Sequence, residues 1–112
     1  MTALMMTKKE AQKYMSNVPL RNAFHCRDGT SLQNLNDLQS ALKTMSEQTF
    51  NYHWHKDGND FAVWIRDVIG DERLANKMTK ARERSQALVT LSHHIAGLKV
   101  RLNTPEFMQV NI

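Results

Sequence analysis

The stretch Asn59-Asp60-Phe61-Ala62-Val63-Trp64-Ile65-Arg66-Asp67-Val68-Ile69-Gly70-Asp71-Glu72-Arg73-Leu74 decides the fold. Asn59 or Asp60 offers a side-chain oxygen to the orphan N–H groups at a helix start. Phe61, Trp64, Ile65 and Val68 then form one wide apolar stripe, flanked by Ala62 and Ile69. Gly70 suits the left-handed residue that closes a helix, and Asp71 caps the next helix at once. Two helices thus meet with almost no linker, which points to a helical protein.

Downstream, the pattern predicts a helix over residues 71–84. Leu74, Ala75, Met78 and Ala81 lie on one side of it, and Arg73, Asn76, Lys77, Lys80 and Arg84 on the other. Ser85 caps a last helix in which Leu88, Leu91, Ile95, Leu98 and Leu102 recur in steps of three and four, a seam two heptads long. Val89, Ala96 and Val100 widen its apolar arc, so this helix is suited to burial on two sides, by its own domain and by a partner. Thr104-Pro105 closes it.

Upstream, Thr7 and Glu10 have the capping-box spacing, and the helix they start should run to about Ser16 before Asn17-Val18-Pro19 ends it. Residues 23–26 read as extended, and Asp28-Gly29 turns the chain into residues 30–32, a small hairpin. Asn34 caps a helix with Leu35, Leu38, Ala41, Leu42 and Met45 on one face. Ser46 restarts the register, with Phe50 and Trp54 placed to stack, and Asp57-Gly58 should stop that helix. The fold class expected is mainly α: a compact bundle of about five helices with a short β-hairpin near residues 23–32. It should form one helical domain over residues 1–112, with short flexible ends at 1–6 and 104–112.

Composition agrees with a folded domain. Of 112 residues, 41% are hydrophobic and 23% charged, unlike the apolar-poor, charge-rich make-up of disordered chains. The single Cys26 excludes an internal disulfide framework and favours a reducing compartment, so the expected location is the cytoplasm. The N-terminus lacks the apolar core of a secretion signal, and no window is long enough to cross a bilayer, so no membrane partner is expected. The net charge of +4 is unevenly spread: residues 1–27 carry +4, residues 28–72 carry −5, and residues 73–104 carry +6. That asymmetry suits attraction to nucleic acid or an acidic partner, and equally suits holding distant segments together in one fold.

The segment from Phe24 to Ala75 resembles a family of small prokaryotic proteins and domains of unknown function. The likeness rests on Tyr52-His53, on Asn59-Asp60-Phe61-Ala62-x-Trp64-Ile65-x-x-Val68-Ile69-Gly70-Asp71-Glu72-x-Leu74 and on the helix start Asn34-Leu35-x-x-Leu38. Some members carry a longer insertion where this chain has only residues 54–58. The resemblance implies a prokaryotic, mostly helical domain and brings no catalytic residues. Capping, packing and helix termination account for the whole motif, which marks it as a signature of the fold.

His53, His55, Asp57 and Asp60, with His25 and Cys26, supply atoms a metal could use, but the spacing disfavours a metal centre. If this stretch is helical, residues two apart diverge, and the pair with ligand spacing is His53 with Asp57. His53 is expected beside the aromatic cluster, donating to a backbone carbonyl, with His55 solvated and Cys26 buried and inert. Of His93-His94, at most one imidazole should border the last helix's interface.

No cofactor, metal or catalytic residue is expected. The function anticipated is a non-enzymatic protein-interaction or regulatory module. Its candidate partner or self-association interface is Leu88, Leu91, Ile95, Leu98 and Leu102; its candidate surface for an acidic partner or nucleic acid is Arg73, Asn76, Lys77, Lys80 and Arg84. A nucleic-acid-binding protein using the basic helix 71–84 is the second reading, and a metal-dependent enzyme a distant third.

Overall fold

The computed structural model describes residues 6–104. Helix α1 (Lys8–Met15) opens on the expected capping box, with Thr7 accepting from the Glu10 amide and the Glu10 carboxylate accepting from the Thr7 amide. A 3-10 turn (Leu20–Asn22) leads to the hairpin β1 (Phe24–His25) and β2 (Ser31–Leu32), paired antiparallel with Phe24 opposite Leu32. Asn34 and Ser46 cap α2 (Leu35–Thr44) and α3 (Glu47–His53) through bonds to the Asp37 and Thr49 amides. A second hairpin follows, β3 (Trp54–His55) and β4 (Gly58–Asn59), then α4 (Asp60–Trp64), which continues as a π-helical turn through Ile65–Ile69. Gly70, at φ 90°, ends that helix, its amide bonded to the Ile65 carbonyl. Asp71 then caps α5 (Glu72–Thr79), and α6 (Arg84–Asn103) completes the bundle.

The architecture is therefore mainly helical, as expected, with six α-helices among the described residues and two small antiparallel strand pairs. Helix α6 packs against α1, α2, α3 and α5 and fills the centre. Met6 lies partly buried against the core, and Thr104 closes α6 with its hydroxyl donating to the Val100 carbonyl at 2.7 Å. The rest of the expected flexible ends lies outside the described residues. Among those residues, no helix is long and apolar enough to cross a membrane.

Two expectations are corrected. The helix anticipated over 71–84 is two helices: α5 ends at Thr79, Lys80 is its cap, Glu83 is extended and Arg84 begins α6. The periodicity runs through the break because Ala81 stays buried, but α6 must turn back across the bundle to reach α1 and α2. The stacking of Phe50 on Trp54 gives way to Phe50 on Phe61, with centroids 5.8 Å apart, because the chain leaves the helix at His53 and Trp54 enters a strand. In the leucine seam, Leu91, Ile95 and Leu98 are at most 2% exposed, and Leu88 and Leu102 are partly buried against the core.

Candidate functional site

Two clusters of polar side chains stand out. The first is built on the β3–β4 hairpin. His53 closes α3 and His55 sits two residues on in β3, and the helix-to-strand change turns both rings toward Asp60 at the start of α4. His53 Nδ1 lies 3.0 Å from one Asp60 oxygen and His55 Nε2 lies 2.6 Å from the other. The Arg27 amide donates to His53 Nε2 at 3.0 Å, so that nitrogen is the acceptor and Nδ1 carries the hydrogen given to Asp60. Burial pushes the Asp60 carboxyl up, but the bonds from His53 and His55 outweigh it and hold it below its ordinary range.

His53 is thus joined to Asp60 rather than Asp57, and it accepts from a backbone amide where a donor to a carbonyl was expected. It does lie among aromatic rings, 5.2 Å from Phe24 and 5.1 Å from Phe61. The trio ties both hairpins to α4. Each carboxylate oxygen already holds a ring nitrogen, and among the described residues no group of three or more His, Cys, Asp or Glu is gathered to hold a metal. Cys26 is buried, and desolvation, with Asp28 adding to it, pushes its thiol up to about 11.

The second cluster lies between α5 and α6. A groove of about 450 Å³ is lined by Lys77, Lys80, Val89, Thr90, His93 and His94. His94 is half of a buried pair: its Nε2 stands 2.7 Å from an Asp71 oxygen, with the two side chains 7% and 2% exposed. The other Asp71 oxygen caps α5 through the Leu74 amide. His94 makes its hydrogen bond through Nε2 and lines the groove with its ring. Lys77 and Lys80 are exposed, with no ion pair among the described residues. The groove therefore combines two cations, an aliphatic wall at half-exposed Val89, Thr90 and the imidazoles of His93 and His94.

The five polar residues expected to share one face divide between several places. Lys77 and Lys80 line the groove. Arg73 lines a separate cavity with Glu10, Tyr14 and Glu72. Asn76 accepts from Arg66 at 2.9 Å. Arg84 is a clamp: its guanidinium donates to the Leu42 carbonyl at 2.7 Å and to Glu47 at 3.0 Å, closing the end of α2 against the start of α6. Its spacing from Lys80 has no meaning once the helix breaks. Sequence reasoning missed His94 as a groove residue; the signal was its place off the leucine seam beside the buried cap Asp71. Comparison with protein-family models, curated proteins and solved structures finds no match, so function is read from this geometry.

Proposed function

We propose that the protein is a non-enzymatic interaction module that seats an acidic segment of a partner protein in the α5–α6 groove. The observation that carries the reading is the pairing, in one groove, of Lys77 and Lys80 with the Val89 wall. Carboxylates of the partner meet the lysines and an apolar side chain meets Val89. The engagement of Arg84 by the Leu42 carbonyl and Glu47 thins the cationic stripe a duplex would need, which ranks nucleic acid second.

The test is fluorescence anisotropy with a labelled peptide alternating Glu and Leu, beside a Lys-Leu peptide and a DNA duplex, at low and moderate salt. The acidic peptide should bind, weaken with salt, and lose about tenfold or more in affinity to Lys77→Glu/Lys80→Glu, since each reversed contact is worth on the order of 1 kcal/mol. Equal binding by that variant, with its helical circular dichroism unchanged, refutes the reading. Binding of the duplex alone replaces it with the nucleic-acid one.

A further inference from the structure

A second cavity lies on the far side of Lys80, which it shares with the groove; its other residues are not used by the acidic-peptide reading. It is a cleft of about 270 Å³ between the β3–β4 hairpin and the end of α5, lined by Trp54, His55, Lys56, Asp57, Gly58, Thr79, Lys80 and Arg82. Its walls are fixed. Asn59, 2% exposed, bonds through Oδ1 to the Ala62 amide and through Nδ2 to the Met78 carbonyl, both at 2.8 Å, which fastens the hairpin to α5. Gly58 packs so near α5 that an added Cβ would stand 3.4 Å from the Thr79 methyl. His55 is held on the hairpin by Asp60, and the Arg82 amide is held by Gln86 at 2.8 Å.

Into this fixed cleft come three cations, Lys56, Lys80 and Arg82, whose side chains have no ion pair or hydrogen bond among the described residues. The Trp54 indole N–H also has no partner; as no buried nitrogen is unsatisfied, it is open to solvent in this half-buried side chain. Asp57 is the one carboxylate in the lining, leaving two positive charges in excess. At the end of α5 the Met78 carbonyl already accepts from the Asn59 side chain and the Ala81 amide.

The geometry points to a site for a phosphomonoester dianion. A phosphate group at neutral pH carries close to the two charges the cleft lacks, and its oxygens accept from Arg82's fork, the two ammonium groups and the indole N–H. The volume falls below that of drug-sized sites, so it takes a phosphate on a short skeleton, whether a free small ester or a phosphorylated side chain. Asp57 is placed to accept from a hydroxyl or amide beside the phosphate.

The two indole N–H signals of Trp54 and Trp64, assigned with Trp54→Phe, give a direct readout, since Trp64 is buried and bonded to the Asn22 carbonyl. Glycerol phosphate and a phosphoserine peptide are titrated separately into the labelled protein, with sodium chloride at matched ionic strength as control. A saturable shift of the Trp54 signal with either ester supports the site, and the tighter of the two identifies the source. Lys56→Glu/Arg82→Glu should weaken binding at least tenfold, while Lys77→Glu, which lies in the α5–α6 groove, should leave it unchanged. No saturable shift with either ester, an equal shift with chloride, or unchanged affinity in the double variant overturns the proposal. Because Lys80 lines both cavities, the two proposals are separated by Lys77→Glu, which should weaken the acidic peptide alone, and by Lys56→Glu/Arg82→Glu, which should weaken the phosphate ester alone.

Discussion

Asn59→Ala should cost this protein about 2 kcal/mol. The side chain is 2% exposed and does two things: its oxygen caps α4 at the Ala62 amide, and its amide group joins the Met78 carbonyl nineteen residues on. Loss of an N-cap of this kind costs about 1 kcal/mol. Loss of the second bond costs about 1 kcal/mol more, since the Met78 carbonyl keeps a donor in Ala81 and is not orphaned. With an unfolding entropy of about 2.1 cal/mol/K per residue, a 112-residue chain loses roughly 4 °C per kcal/mol, so the melting point should fall by roughly 8 °C. Urea unfolding at fixed pH gives the free energy and calorimetry gives Tm. The contrast is Asn59→Asp, which keeps the acceptor for Ala62 but turns a carboxylate oxygen toward the Met78 carbonyl. If the amide bridge matters, Asp is worse than Ala, because a buried charge then faces a carbonyl. A loss below about 0.5 kcal/mol for Ala, or an Asp variant as stable as the parent, refutes the account.

Other outcomes follow from the same coordinates. His94→Leu leaves the Asp71 carboxylate buried without its ring partner, and should destabilise by about 3 kcal/mol in urea titration; no measurable loss would show that the pair is not formed. Asp60 titrates lower in the fold than in the unfolded chain, so its stabilising share is complete above the ordinary carboxylate range and drains away as pH falls through its lowered value. The stability gap between the parent and Asp60→Asn should therefore narrow on going from about pH 6 to about pH 3, and a constant gap would be inconsistent with that sign. Cys26, pushed up to about 11, should react with a thiol reagent at mildly alkaline pH at least roughly a hundredfold slower than in urea; equal rates would place it at the surface. Leu91→Asp should give an unfolded chain by circular dichroism, whereas Val100→Asp, at a position 66% exposed on the same helix, should fold.

Local chemistry was legible and long-range chemistry was not. Thr7, Asn34, Ser46, Asn59, Gly70 and Asp71 each bound a helix where the sequence says, because a cap is satisfied within five residues of itself. The hairpin at Asp28-Gly29 was readable for the same reason. Asp57-Gly58 carries an equal hairpin signal but reads as a helix stop when the preceding apolar spacing is taken as helical, and that choice concealed the meeting of His53 and His55 on Asp60. The end of α5 carries no glycine or proline. It is set by Asn59 from another element and by Arg84 reaching a carbonyl forty-two residues away, neither of which periodicity can contain. Of the candidate surface, Lys77 and Lys80 were found from spacing; His94 needed the turn at Gly70-Asp71 to be folded onto α6 before its role existed.

The central position of α6 has a consequence for synthesis. This helix is the last described element to be made, yet it supplies Ala87, Leu91, Ile95 and Leu98 to a core whose other walls are α1, α2, α3 and α5. Until it is made, α1 and α2 lack the element each packs against most extensively. The core can therefore be completed only late in synthesis, when α6 becomes available to the helices made before it.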